Sequence, residues 1–445
     1  MTSSFDRLNV TGLQTEFFQL IQSALYHADG MWGDATVDLY LRDLPAHHGY
    51  MIVAGVQEAI DSVLNLRFTE ADLEWLGAQP MYQNLGSTFF DSLRHFKFSG
   101  DIWAMAEGTP VFKNVPIMRI TAPLPQIGLF EMMVTQSVGC AMAVATNASR
   151  ISDAASGRTV LDFGSRRVPG TQIAQIAARA AFIGGCSGTT HALAARECGI
   201  PAVGLISDTM LAAYEDVAIA YDALSSHFPD GCHLNLPTEG PLDAIDRFER
   251  IHDKVQTVRL DHPELQQVSI EVRKRLDARG MKHTKILGSG KLDALHIRSL
   301  IDNHAPIDLF AVGGALTEGI AGGGPPLCYR MAALVRGTTP SPITGHWSAH
   351  WPGVKQVIRH QDHDFICAEV EVREHLTDQE NILLNGWVIS GERAIDRPTL
   401  RESRAHRTIS LERLHSGIRR LIAPDDYTVK ASTTIQGWSD SRSDR

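Results

Sequence analysis

The chain is predicted to be an α/β protein, with an irregular barrel of parallel strands in its middle and a second, sheet-containing domain built from both of its ends. Three observations carry this reading. Between about residues 158 and 315, short apolar or β-branched runs alternate with longer helical patterns. The ends of those runs are rich in glycine and charged side chains, as the βα loops at the working face of a parallel barrel are. The flanking segments hold strand-like pieces without that regular alternation.

The elements follow in order. Residues 1 to about 120 combine a helical start with the strand candidates GYMIVAG and PVFKNVPIMRI. The central array opens with TVLDFG, followed by the helical patterns TQIAQIAARAAFIG and TTHALAAREC, the strand candidate IPAVGLIS and the helix MLAAYEDVAIAYDAL. It continues through CHLNLP, PLDAIDRFERIHDK, TVRLD, PELQQVSIEVRKRLDARG, TKILGSG, KLDALHIRSLIDN and IDLFAVGGAL. Pro263 suits the first position of the helix after TVRLD, and Gly280 closes that helix. The strands are therefore expected to end at Phe163-Gly164, Ile206-Ser207, Leu260-Asp261, Leu287-Gly288 and Phe310 to Gly313. Beyond residue 330, CAEVEVREH, NILLNGWVIS and DYTVKAST are further strand candidates. The expected domains are 126–329 for the barrel, 1–125 with 330–435 for the second domain, and 436–445 for a solvated tail.

With 41 basic and 51 acidic side chains the formal charge is −10, which argues against a general nucleic-acid or anionic-membrane surface. A phosphorylated ligand would have to be held locally. The opening MTSSFDRLNVTGLQTEFF has no basic segment followed by an apolar core, and no run of about 18 uninterrupted apolar residues occurs. Neither a signal peptide nor a membrane span is expected. The cysteines at 140, 186, 198, 232, 328 and 367 form no C-x-x-C pair, so free thiols in a reducing cytoplasm are expected, with no protein-bound metal.

Five loops converge on the expected working face. Arg166 and Arg167 follow the strand TVLDFG directly; two planar guanidinium forks in one loop suit a doubly anionic ligand, although a solvated pair capping a strand has the same sequence. In FIGGCSGTTHALAA, glycines precede Ser187, Thr189 and Thr190 at an expected helix start, where free N–H groups attract anions and where a plain N-capped turn also fits. ILGSGKLD and FAVGGALTEG place Gly288, Ser289, Gly290, Gly313 and Gly314 at the ends of consecutive late strands, the arrangement of a backbone phosphate cradle. GGALTEGIAGGG lacks the spacing and early position of a dinucleotide fingerprint. In VRLDHPEL, Arg259 and Asp261 share one face of a strand, either as a structural ion pair or as a cation and a carboxylate at the barrel mouth.

In order and spacing, FTEADLEWL, FSGDIWAMAEGTPVF, DFGSRRVPG, FIGGCSGTTHALAA, GIPAVG, VRLD, ILGSGKLD, APIDLFAVGGAL and WPGVKQVIR resemble the nicotinate phosphoribosyltransferases across nearly the whole chain. TGLQTEFFQL resembles the family's opening segment, with Thr15 kept and Glu16 and Phe18 in place of the usual Asp and Tyr. The resemblance implies an α/β sandwich from both termini and the irregular α/β barrel of the type II phosphoribosyltransferases, in a cytoplasmic homodimer with sites near the subunit contact. It implies transfer from 5-phosphoribosyl pyrophosphate, with Mg²⁺, to nicotinate or a related aromatic acid in NAD salvage. It places Arg166 and Arg167 on the pyrophosphate or the acceptor carboxylate, Arg259 on that carboxylate, and Phe18 and Thr209 among the substrate contacts. Gly288, Ser289, Gly290, Gly313 and Gly314 would hold the 5-phosphate, and Asp261 would favour the ribosyl cation.

The chain also departs from the family. Asp208 stands where the family's phosphorylated histidine is expected and Thr209 where a serine is, which removes the group that couples ATP and makes Asp208 the second catalytic candidate. LDHPEL and SGKLDA replace the usual LDSGDL and SGDLDE, and lysines expected before PGxK are missing from TGHWSAHWPGVK. His262 and Pro263 reshape the wall facing the base, leaving the acceptor open. A non-catalytic relative that binds nucleotide or phosphosugar is the alternative reading.

Overall fold

The computed structural model describes residues 10–204, 206–229, 232–248, 251–320, 324–337, 339–344, 350–376 and 381–440. The chain divides into two compact units, Val144–Ala321 and a second made of Met1–Ala143 with Gly322–Arg445. The sequence reading placed these boundaries at 125/126 and 329/330. The first boundary falls instead within the long helix Glu131–Ala154, which a pattern-based division has no reason to cut.

The inner unit is built on five parallel strands: β1 (Thr159–Asp162), β2 (His233–Asn235), β3 (Thr257–Asp261), β4 (Lys285–Ser289) and β5 (Leu309–Val312). Their spatial order is β1-β5-β4-β3-β2. Beyond β1, among the described residues, the barrel is continued by single parallel bridges, Asp162 to Thr189 and Thr189 to Ala202. IPAVGLIS is expected to form a strand ending at Ile206-Ser207; among its described residues the one bridge is at Ala202, and Pro201, lacking an N–H, cannot donate to a ladder.

Alternation sorts β3: Val258 and Leu260 are fully buried, whereas Arg259 and Asp261 project from the opposite side. The helix Leu265–Ala278 buries Leu265, Val268, Val272 and Leu276, at three- and four-residue spacing. Gly280, at φ +76°, closes that helix as expected, but Pro263 lies in the turn before Glu264 caps it. MLAAYEDVAIAYDAL divides into Asp208–Ala212 and Val217–His227, where Asp216 caps the second helix. Among the described residues of PLDAIDRFERIHDK, the α-helix covers Pro241–Asp246.

In the outer unit a seven-stranded antiparallel sheet runs Thr339–Pro342, Leu327–Arg336, Asp34–Leu41, Pro116–Pro123, Asp101–Ala104, Asn385–Ile389, Glu392–Arg393. A four-stranded sheet runs Asn381–Ile382, Lys355–Arg359, His363–Ala368, Thr428–Ala431. The two sheets are tied by buried polar groups. Lys355 Nζ, wholly inaccessible, donates to Asp38 Oδ2, while Arg119 donates to the Lys355 carbonyl at 2.7 Å and to Glu369 at 2.5 Å. The strand expected in CAEVEVREH stops at Ala368, after which Glu369–Glu371 and Val372–His375 turn helically. The tail expected from 436 is helical through 440, because Thr433–Asp440 buries Ile435; residues 441–445 lie outside the described residues.

The segment Leu124–Ala154 is long and apolar enough to cross a membrane by length and composition, yet 61% of its most apolar window is buried inside the protein, as in a core helix. All six cysteines are free thiols.

Candidate active site

Parallel neighbours place the C-terminal ends of β1, β5, β4 and β3 along one edge. Register sets the detail: Asp261 lies opposite Ser289, and Arg259 lies between Leu287 and Asn235 on its two neighbours. The Arg259 side chain, 18% exposed, donates from Nη2 to Asp261 Oδ2 at 2.6 Å, from Nε to Ser289 Oγ at 2.8 Å and from Nη1 to Asn235 Oδ1 at 3.2 Å. Ser289 Oγ in turn donates to Asp261 Oδ2 at 3.3 Å. A guanidinium has five N–H donors, so two of those on Arg259 remain for a ligand. Asp261 is the more open partner, its side chain 42% exposed.

Glycine at 290 is a geometric requirement of this cluster. Its φ is +92°, and a Cβ there would lie 2.2 Å from Asp261 Oδ1. Lys291 follows in the left-handed region at φ +43°. Beside Asp261 and Gly290 opens a groove of about 800 Å³, walled by His262, Pro263, Lys291, Leu292 and His296. Gly288 faces inward, where a Cβ would meet Ile307 Cγ2 at 3.1 Å, so its absent side chain serves packing.

Asn235 was not anticipated from sequence. Its place comes from register alone, at the end of a three-residue strand, and its carbonyl accepts a 2.7 Å bond from the buried Tyr221 hydroxyl. Burial pushes that phenol well above its ordinary value.

On the other side of β4, the loop after β1 forms a short 3-10 turn over Ser165–Arg167, closed by Arg167 N donating to Gly164 O at 2.8 Å. Arg166 and Arg167 are exposed, and neither guanidinium has an ion pair or hydrogen bond among the described residues. Ser165 Oγ is buried without a partner among the described residues. Gly313, at φ −114° and ψ −90°, opens the four-residue helix Gly314–Thr317, and Gly314 has open space where a side chain would stand.

The carboxylate that the sequence reading missed is Asp162, 4% exposed at the end of β1. It accepts from Gly164 N and from Thr189 Oγ1, each at 2.7 Å, and burial pushes its carboxyl above the ordinary range. Thr189, Ser187 and Thr190 lie in the loop before the helix Ala192–Cys198, whose N-cap is His191, rather than at a helix start as expected.

Three further sequence candidates remain. Thr209 is exposed in the short helix Asp208–Ala212, capped by Ser207. The Asp208 side chain lies outside the described residues. Phe18, 53% exposed on the helix Phe17–Ala28, belongs to the outer unit. Among the described residues no group of three or more His, Cys, Asp or Glu is placed to hold a metal.

Residues 13–138 match the nicotinate phosphoribosyltransferase N-terminal domain, 144–320 the quinolinate phosphoribosyl transferase C-terminal domain and 362–437 the nicotinate phosphoribosyltransferase C-terminal domain. The chain is 31% identical over 369 residues to a nicotinate phosphoribosyltransferase of Mycobacterium tuberculosis, covering 82% of this chain and 78% of that one. It is 31% identical over 312 residues to the Bacillus subtilis nicotinate phosphoribosyltransferase, covering 68% and 63%. The crystal structure of human nicotinic acid phosphoribosyltransferase superposes with a TM-score of 0.82 at 21% identity over 96% and 99% of the two chains. That of nicotinate-nucleotide pyrophosphorylase from Pyrococcus furiosus gives 0.74 at 23% identity over 90% and 95%, and both show the shared fold.

Proposed function

This chain belongs to the nicotinate phosphoribosyltransferase family, enzymes of phosphoribosyl transfer to pyridine or related aromatic acids in NAD salvage, and on that premise we propose that it joins nicotinate or a close analogue to 5-phosphoribosyl pyrophosphate without coupling to ATP. The observation that carries the reading is the Arg259–Asp261–Ser289 cluster beside the Ser289-Gly290 turn, a cation, a carboxylate and the backbone of a glycine turn on adjacent strand ends.

In this reading the bond from the ribose anomeric carbon to pyrophosphate breaks, and its electron pair leaves on the pyrophosphate oxygen. The acceptor's ring-nitrogen lone pair forms the new bond, the ring becomes a pyridinium and no proton moves. Positive charge grows on the ribose and negative charge on the leaving group, so the protein's work is electrostatic. Asp261, held by Arg259 and Ser289, stands for the first charge. The unpartnered Arg166 and Arg167 stand for the pyrophosphate, and the two spare N–H groups of Arg259 suit the acceptor carboxylate. Backbone at Ser289, Gly290, Gly313 and Gly314 would hold the 5-phosphate, and the orphaned Ser165 hydroxyl gains a partner once an anion binds. A Mg²⁺ bound with the substrate would neutralise pyrophosphate charge, with Asp261 as its protein carboxylate.

Phe18 and Thr209 enter as substrate contacts on the resemblance alone, as does a homodimer; the exposed ring of Phe18 suits a contact made across subunits. Six free thiols suit a reducing cytoplasm. Asp208 lacks the imidazole that carries phosphate in the family, which supports independence from ATP. The test is pyrophosphate release from 5-phosphoribosyl pyrophosphate and Mg²⁺ with a panel of pyridine and benzene carboxylates, with and without ATP. Acceptor-dependent release unaffected by ATP is expected. No release with any acceptor would overturn the transferase reading, and stoichiometric ATP hydrolysis or labelled phosphate on Asp208 would restore coupling.

A further inference from the structure

We propose that Asp162 is a positioning residue: its buried carboxylate fixes the loop that carries Arg166 and Arg167 against the neighbouring Thr189 loop, so that the guanidinium groups are set before the pyrophosphate arrives. The inference rests on the transferase reading for its kinetics, but its geometry stands independently.

Two loops meet at this one side chain, and a third runs beside Gly164. Oδ1 accepts from Gly164 N, and the Gly164 carbonyl then accepts from Arg167 N at 2.8 Å, so the carboxylate governs the first link of the turn bearing both arginines. Oδ2 accepts from Thr189 Oγ1, which itself accepts from His191 N at 3.1 Å. The Asp162 backbone is paired with the same loop, its N donating to Gly188 O at 2.9 Å and its carbonyl accepting from Thr190 N at 3.1 Å. The third loop passes close to the same turn: a Cβ on Gly164 would stand 3.0 Å from both Asp162 Oδ1 and Thr317 Cγ2, and 3.4 Å from Gly313 O, so glycine is what the close approach admits.

A carboxylate accepts on both oxygens at once, here from Gly164 N–H and from the Thr189 hydroxyl. Asn keeps one acceptor for Gly164 and can turn its amide toward Thr189. Ala keeps neither bond. The guanidinium groups have no partner among the described residues; the turn that carries them is held by this link, by Phe163 N donating to Val312 O at 2.8 Å just before it, and by local backbone.

The experiment compares Asp162→Ala, Asp162→Asn and Thr189→Val with the wild type, by steady-state kinetics and by hydrogen exchange over residues 163–170 and 257–261. For Asp162→Ala the KM for 5-phosphoribosyl pyrophosphate is expected to rise about tenfold or more, with the acceptor KM nearly unchanged, because the charge-assisted bonds lost join the arginine loop to Thr189 and none belongs to the Arg259–Asp261–Ser289 cluster. Exchange should quicken in 163–170 and stay unchanged in 257–261. Asp162→Asn should remain within about threefold of wild type, and Thr189→Val should fall between the two. A kcat that falls with the active fraction at constant KM would mark Asp162 as merely structural and overturn the proposal. So would unchanged exchange in 163–170, or an Asn variant as impaired as the Ala variant. If Ala fails to fold, the Asn and Val variants decide. If the wild type makes no pyrophosphate, the transferase reading fails while the exchange measurements still judge the positioning role.

Discussion

Arg166 and Arg167 are exposed and unpartnered among the described residues, so truncating either removes almost no packing. Each Ala variant should stay within about 0.5 kcal/mol of wild-type stability while the KM for 5-phosphoribosyl pyrophosphate rises about tenfold or more. Matched melting curves and kinetics check this, and a lowered Tm with unchanged kinetics would make the pair structural. Asp162 carries a prediction of the opposite kind. Burial raises its folded-state value above the ordinary 3.8, so the folded protein retains this proton where the unfolded chain has released it. The group's contribution is full below 3.8 and is lost as pH rises through the folded value. Asp162→Asn, with no charge to bury, should melt above wild type at neutral pH, and the gap should close toward pH 4. A gap independent of pH would contradict this assignment. Both arginines were legible in the sequence because adjacent cations after an apolar strand are conspicuous. Asp162 was not, since nothing in a linear pattern distinguishes a carboxylate that turns inward to accept from a backbone amide two residues ahead.

Strand ends show how far pattern reading reaches. β3, β4 and β5 were legible because Val, Ile and Leu runs stop at Asp261, at the Ser289-Gly290 turn and at Gly313. The expected strand at IPAVGLIS failed where an apolar run contains Pro201 and Gly204, and only one bridge survives. Asn235 was invisible because its meaning depends on register with Arg259 two elements away in sequence. The turn after β4 gives the sharpest test of this edge. Gly290→Ala places a methyl 2.2 Å from Asp261 Oδ1 and asks Ala to hold φ +92°. Asp261 should be pushed from the Arg259–Ser289 pair, with kcat falling roughly hundredfold, as misplacement of a reacting group by about 1 Å does. Asp261→Asn should resemble it in kcat at near wild-type substrate binding. A Gly290→Ala enzyme with normal kcat would show that Asp261 does not need its present place.

At the scale of the molecule, the contribution of both chain ends to one sandwich was legible from the strand-like flanks, but the pinning of its sheets was not. Lys355 and Asp38 are both inaccessible, and burial pulls the Lys355 ammonium down while Asp38 holds it up. Removing one partner leaves a lone buried charge. Asp38→Asn or Lys355→Met should each cost about 3–5 kcal/mol, whereas the apolar double replacement should recover much of that loss. Denaturation of the singles and the double checks it, and additive losses would mean that the two charges do not interact. The same pair bears on how the protein is born. Its partners stand 317 residues apart, with the whole inner unit between them. At ribosomal speeds of about 5–20 residues per second, Asp38 waits roughly 15 to 60 s for its ammonium. During that interval the strand Asp34–Leu41 also lacks its neighbour Leu327–Arg336, leaving an open β edge on the nascent chain. The inner unit meanwhile has all of its own strands and can fold first. Slow codons or a stop after residue 321 would therefore strand an unpaired, charge-bearing sheet, and such truncated chains should depend on chaperones to stay out of aggregates.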